Sequence, residues 1–200
     1  MPQIGLKGIK AAKYVNTEGV ITYTNPTAVG DAMTANLELR YAEGRLYAED
    51  MLAEYMRKAV GGTISLGVKY IKQSAQVLLF GTQTKEREIS YTPVGSSTPT
   101  TATATSLVTG GQDLGQYVGV AFYAPDLVDG EPKFTCVLVK KCLFGPPSMS
   151  LQTMGENIQF NTPTTSGEFL ADDSEAQDLF EVAIVDDENA AKAWVDEVLQ

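Results

Sequence analysis

Tyr117-Val118-Gly119-Val120-Ala121-Phe122-Tyr123, then Val128-Asp129-Gly130-Glu131-Pro132, then Phe134-Thr135-Cys136-Val137-Leu138-Val139-Lys140-Lys141-Cys142-Leu143-Phe144 decide the fold of this 200-residue chain. β-branched and aromatic runs flanking an Asp-Gly turn are the sequence form of an antiparallel hairpin. The polar stretch between the runs spans several residues, so a loop longer than two residues is expected. Gly145-Pro146-Pro147 ends the pairing, because proline has no N–H to give to a ladder. Beyond it, Asn157-Ile158-Gln159-Phe160-Asn161-Thr162-Pro163-Thr164 alternates apolar and polar residues, as a half-exposed strand does. The expected class is mainly β (α+β): an antiparallel sandwich or half-barrel with one packed helix and a C-terminal helix.

Towards the N-terminus, residues 7–15 carry Lys7, Lys10 and Lys13 three apart, a spacing that suits a helix face or a strand. Asn16-Thr17-Glu18-Gly19 reads as a turn, and Val20-Ile21-Thr22-Tyr23-Thr24 as a strand that Asn25-Pro26 ends. Ala35-Asn36-Leu37-Glu38-Leu39-Arg40-Tyr41 alternates strictly, with Glu43-Gly44 placed to turn it back. In residues 46–59, Tyr47, Met51, Leu52, Tyr55, Met56 and Ala59 recur at helical spacing, and propensity alone favours a helix. Gly61-Gly62-Thr63-Ile64-Ser65-Leu66-Gly67-Val68 is strand-like. Residues 70–80 form the central helix, with Ile71, Ala75, Leu78 and Leu79 on one face and Gly81 ending it.

Residues 82–116 read as a long Ser/Thr/Gly-rich loop, since the tract around Ser96, Thr98, Thr100 and Thr103 lacks large apolar side chains to offset its ordering entropy. Gly110-Gly111 closes it. An arm that orders against a neighbouring subunit is the functional reading of this loop, with Ser96, Thr98, Thr100, Thr103, Gly110 and Gly111 as candidate inter-subunit residues. The acidic segment 171–200 ends the chain, which is taken as one domain over 1–200. From residue 150 onward there are twelve acidic residues against Lys192 alone, net −11, leaving about +1 for everything before. Asp186-Asp187-Glu188-Asn189 reads as a capped helix start, and Ala191, Trp194, Val195 and Val198 share the face that docks it.

A net charge of −10 argues against a protein that grips nucleic acid by its phosphates. There is no apolar run of eighteen residues and no charged-then-apolar leader, so the expectation is a chain made and folded in a cytoplasm. Histidine is absent, which removes the commonest general base and the usual triads. Two cysteines alone exclude a structural zinc site of the usual kind. Cys136 and Cys142, six residues apart on an extended strand, would lie about 20 Å from each other, too far for a disulfide. Asp172-Asp173-Ser174-Glu175 and Asp186-Asp187-Glu188 lack the alternating ligands and central glycine of an EF-hand and read as solvated acids. No catalytic residue, cofactor or metal is expected, and the chain is not expected to be an enzyme.

The order of Val118-Gly119-Val120-Ala121-Phe122-Tyr123, Lys140-Lys141-Cys142-Leu143-Phe144-Gly145-Pro146-Pro147 and Gly155-Glu156-Asn157-Ile158-Gln159-Phe160-Asn161-Thr162-Pro163-Thr164 resembles the major tail protein family of long-tailed bacteriophages. Met1-Pro2-Gln3-Ile4-Gly5-Leu6-Lys7-Gly8-Ile9 and the block from Leu37-Glu38-Leu39-Arg40-Tyr41 through Tyr47-Ala48-Glu49-Asp50 are similar to the family in the same order. The resemblance leaves residues 90–116 unmatched. It implies strands across residues 46–59, tipping that segment from helix to strand. It also implies six-membered rings stacked head to tail into a tail tube, the virion conduit through which double-stranded DNA passes without sequence-specific binding. The implied partners are copies of the chain itself and the tape measure, tail terminator and distal tail proteins, with no membrane. Glu38, Arg40, Glu43 and Arg45 are the candidate lumen-facing residues, on the ground that burying Leu37 and Leu39 turns a charged row outward. The alternatives are a cell-surface or virion-decorating β-sandwich binding module, and a tail-end ring protein of the same fold.

Overall fold

The computed structural model describes residues 5–128, 130–147 and 162–200. Its strands are β1 (Lys7–Thr17), β2 (Val20–Ala28), β3 (Ala32–Ala48), β4 (Met51–Val68), β5 (Gln83–Tyr91), β6 (Thr100–Val108), β7 (Val118–Val128), β8 (Glu131–Phe144), β9 (Thr164–Leu170) and β10 (Phe180–Val185). The helices are α1 (Gln73–Phe80) and α2 (Glu188–Glu197). The protein is mainly β and antiparallel, with one helix packed on each side of the central strands.

Eight strands form one sheet, seven in the order β2-β1-β7-β8-β9-β4-β3 and β10 off this path against β8, and β5 and β6 form a second sheet of their own. β8 is the hub. Its whole length pairs β7 on one side, while β9 (at Lys141 to Phe144) and β10 (at Phe134 to Val139) share its other edge end to end. The sheet curls so that Ile64, Leu66 and Val68 of β4 and Phe169 of β9 meet Val120, Phe122 and Val139 in one core, which Ala75 and Leu79 of α1 close. A second core on the opposite face gathers Ala12, Tyr14, Tyr23, Tyr123, Cys136 and Leu138 beneath Ala191, Val195 and Leu199 at the C-terminal end. The middle parts of β1, β7 and β8 are therefore covered on both faces. This is why 118–124 and 134–139 read as nearly continuous apolar runs.

Between the pairs Val118↔Cys142 and Val120↔Val139, β8 carries one residue more than β7. That bulge flips the alternation at Lys140-Lys141, so Cys142 lies in the α1 core and Cys136 in the α2 core. Both thiols are buried and unbonded. Burial pushes each thiol above its ordinary range.

Several sequence expectations are corrected by the pairing. The β7–β8 connection is short: Val128 pairs Glu131, leaving two residues, and Gly130 takes the positive φ of +86° that such a turn needs. Asn25-Pro26 does not end β2. Asn25 adopts φ +58° in a bulge between Ala11↔Thr27 and Lys13↔Thr24, and β2 is an edge strand, where a proline is tolerated. Glu43-Gly44 is not a turn either, since Gly44 pairs Met56 and the chain reverses at Glu49 and Asp50, both left-handed at φ +50° and +62°. Residues 46–59 are the expected strands on either side of the Glu49-Asp50 reversal, despite their helical spacing. The loop expected over 82–116 contains two paired strands, β5 and β6, in unbroken register from Gln83↔Val108 to Tyr91↔Thr100. Threonine alternating with alanine fits a pleated ribbon, and threonine's β-branching favours it. Segment 7–15, open between helix and strand, is strand.

Two helix expectations hold. α1 ends at Gly81, whose φ of +69° is free of strain only without a Cβ and whose N–H donates to the Val77 carbonyl at 3.1 Å. α2 starts at Asp187, whose carboxylate accepts from the N–H groups of Asn189 (2.7 Å) and Ala190 (3.4 Å). Ala191 and Val195 are buried on its docking face, flanked by Trp194 and Val198. The strand expected over 157–164 falls, up to Asn161, outside the described residues, as do Met1-Pro2-Gln3-Ile4, Asp129 and Gly155-Glu156; described strand β9 begins at Thr164.

Candidate functional site: two protruding ribbons and an open cleft

Beyond the curled sheet, β3 and β4 continue as a two-stranded ribbon from the pair Tyr41↔Ala59 to Ala48↔Met51. Eight residues of β3 and nine of β4 give it a reach of about 25 Å. Residues 41–60 are all exposed except Ala59, which is half-buried. Its exposed large apolar side chains include Tyr41, Leu46, Tyr47, Met51, Leu52, Tyr55 and Met56, with Met51 and Met56 at 72% and 75% of full exposure. A lone two-stranded ribbon is marginal in water, and the apolar side chains on both its faces are left uncovered by the described residues.

Alternation along β3 separates the four residues expected on one charged row. Glu38 and Arg40 share one face. Glu43 and Arg45 lie on the other, with Leu37, Leu39 and Tyr41, because the bulge at this point inserts Val60 into β4 and leaves β3 regular. The charges are also compensated: Arg40 pairs Glu168 at 3.3 Å, and Glu43 pairs Arg57 at 3.4 Å and Arg45 at 3.6 Å. Arg57 stacks over the Tyr41 ring at 3.6 Å from its centroid, and Arg45 reaches the Tyr55 ring at 5.7 Å. This inner part of the ribbon is stapled across its strands. Its outer end, with Glu49, Asp50 and Glu54, has no ion pair among the described residues.

The second ribbon, β5–β6, sorts its charges by face. Lys85, Arg87, Ile89 and Tyr91 stand opposite Ser106, Ala104, Ala102 and Thr100 on one side; Glu86 and Glu88 stand opposite Thr105 and Thr103 on the other. Every residue of β5 is exposed. Of the expected inter-subunit residues, Thr100 and Thr103 thus occupy opposite faces of a ribbon. Ser96 and Thr98 lie in its tip, where the Thr98 N–H donates to Ser96 Oγ at 3.1 Å, and Gly110-Gly111 sit beyond its root, where the Gly110 N–H donates to Asp113 at 2.7 Å. The alternation Lys85-Glu86-Arg87-Glu88 was the available signal for these two faces.

A cleft of about 470 Å³ opens between β3 and β10, lined by Leu37, Leu39, Tyr41, Phe122, Phe180 and Val182 among others. Among the described residues β3 pairs only β4, and β10 only β8, so each flank of the cleft is a strand with one edge that no described strand pairs. Sequence reasoning found neither the cleft nor the pairing of its walls, since both depend on contacts far apart in the chain.

Of the acids read as solvated, Asp173, Glu175, Asp186 and Asp187 are exposed and Asp172 is buried, and several acids of the C-terminal segment are matched by lysines. Lys7 pairs Glu188, Lys10 pairs Asp196, Lys133 pairs Asp186, Lys140 pairs Asp172 and Asp178, and Lys141 pairs Asp173. Lysines of β1 and β8 thereby clamp α2 and its approach onto the sheet. Asp172 is nearly fully buried and accepts from the Ser174 and Asp178 N–H groups as well as from the Ser174 hydroxyl. Burial pushes its carboxyl up, but the Ser174 hydroxyl and the Lys140 ammonium more than offset this and hold it below the usual carboxylate range. Asp173 is lowered chiefly by Lys141 and then by the Tyr14 hydroxyl. Tyr123 donates to Glu188 at 3.1 Å, and burial, aided by that carboxylate, pushes its phenol up to about 12.

No protein-family model matches this chain, and no curated protein is significantly similar to it.

Proposed function

We propose that the chain is a structural subunit that self-assembles into stacked rings, as the tail tube of a long-tailed phage, and is not an enzyme. The observation that carries this is the β3–β4 ribbon, which holds apolar side chains on both faces where no described part of the same copy covers them. Closing against identical neighbours removes both that exposure and the free edges of β2, β3 and β10. A head-to-tail contact generates a ring when its rotation closes, and a second such contact stacks the rings. The resemblance in residue order supplies the tail-tube identity, the ring number and the conduit role, with the virion tail as its location and the tape measure, terminator and distal tail proteins as its neighbours.

A channel wall built from this chain need not hold DNA. Of Glu38, Arg40, Glu43 and Arg45, Glu38 is the one with no ion pair among the described residues, so a lumen formed by β3 is close to neutral and presents no basic row to the phosphates. Negative-stain microscopy combined with size-exclusion chromatography of the purified protein tests the reading. Rings or tubes are expected. A monomer that persists at high concentration would instead favour a decorating or cell-surface binding module, and rings that never stack would favour a tail-end ring.

A further inference from the structure

We infer that the outer end of the β3–β4 ribbon of one copy docks on the Lys85-Arg87-Ile89-Tyr91 face of the β5–β6 ribbon of a second copy. This rests on the reading of the chain as a self-assembling subunit and names the surfaces that meet.

The two surfaces match in chemistry. Leu46 and Glu54 face each other across the first ribbon, with Met56 on the same side, and the reversal adds Glu49 and Asp50. That end is acidic and apolar. On the second ribbon Lys85, Arg87, Ile89 and Tyr91 are successive residues of one face, about 6.6 Å apart, so that face is basic and apolar. Ile89 and Tyr91 are each close to half exposed. None of Glu49, Asp50, Glu54, Lys85 and Arg87 forms an ion pair among the described residues. The lysines that face the C-terminal segment behave differently: Lys7, Lys10, Lys140 and Lys141 are all matched to acids of their own copy. The two ribbons thus carry uncompensated charges of opposite sign on surfaces that also need apolar cover.

The acidic face of the second ribbon, with Glu86, Glu88 and the threonines Thr84, Thr101, Thr103 and Thr105, is a poor host for the acidic end, so the docking side is specified by repulsion as well as attraction. Because the two patches differ, each copy offers one and accepts the other. Such a contact propagates from copy to copy.

The test uses the full chain in two variants, Lys85→Glu/Arg87→Glu and Glu49→Lys/Asp50→Lys/Glu54→Lys, followed by analytical ultracentrifugation at low and high salt. In the first variant both ribbons carry negative patches, and in the second both carry positive ones. Each alone should associate roughly 10- to 100-fold more weakly than the parent, while an equimolar mixture should recover association, more fully at low salt. Recovery on mixing cannot come from misfolded variants. Parent-like assembly of either variant alone, or two defective variants that mixing does not rescue, overturns the inference and leaves the ring-and-tube reading standing. A closed dimer that obeys the same reversal and rescue would support the contact and overturn the tube. A parent chain that stays monomeric overturns both.

Discussion

The Tyr23 ring of β2 reaches across β1 and lies against Gly119 of β7, so closely that a Cβ at 119 would fall 2.3 Å from a ring carbon. The Tyr23 hydroxyl then donates to the Lys140 carbonyl of β8 at 3.0 Å. One side chain thus ties the edge strand to the hub strand, at the bulge where β8 changes face. The ring cannot move aside without losing its edge contact with Tyr14 at 6.0 Å between centroids.

From this geometry, Gly119→Ala should destabilise the subunit by about 1–3 kcal/mol, as overpacking of a filled core does. Urea unfolding monitored by circular dichroism measures it. A variant within about 0.5 kcal/mol of the parent, the range of an ordinary surface change, would mean that the Tyr23 ring does not rest on β7.

The lysine clamps predict how stability depends on pH. The carboxyls of Asp172 and Asp173 sit below their ordinary range in the folded protein. Their contribution is therefore fully present above the unfolded carboxylate range and is lost as pH falls through the folded values. Asp172→Asn should cost roughly 1–3 kcal/mol at pH 7, since it weakens a buried acceptor of several hydrogen bonds, and it should flatten the acid limb of the stability curve. Denaturant titrations at pH 7 and pH 3 on parent and variant check both. An equal acid loss in the two proteins would rule out Asp172 as a source of the dependence.

Where local chemistry and global packing agree, the residues announced their structure. The β7–β8 hairpin, the stop at Gly81 and the Asp187 cap each rest on neighbours within a few positions, and each appears as expected. The failures share a cause. Asn25-Pro26 and Glu43-Gly44 are turn-forming pairs overridden by a partner strand: the first is absorbed as an edge bulge, and the second is held in register by Met56 and Arg57. Residues 46–59 are the strands expected in the end, but their periodicity alone points to a helix, because both faces of a ribbon hold apolar side chains and that defeats a test assuming one wet face. The β5–β6 ribbon was hidden by its threonines, whose weak hydrophobicity reads as a loop although their branching suits a strand. The face reversal that separates Cys136 from Cys142 needs the β7 register, which no window of β8 contains.

The final prediction isolates the β3–β4 ribbon. Glu43 and Arg57 face each other across it, so residues 44–56 can be replaced by Asn-Gly, which supplies the left-handed pair a two-residue hairpin turn requires. The shortened protein keeps the Glu43–Arg57 ion pair and the Arg57–Tyr41 stack, and the buried cores contain no residue of the deleted segment. Its unfolding midpoint should therefore stay within a few degrees of the parent's, because surface changes away from packed contacts move stability little. Assembly should fail, since the deletion removes Leu46, Met51, Met56 and the acidic end together. Thermal unfolding and microscopy on the same preparation separate the two effects. Shortened protein that unfolds at the parental temperature and still forms rings and tubes would show that the ribbon is dispensable for self-association, and would remove the observation on which the assembly reading rests.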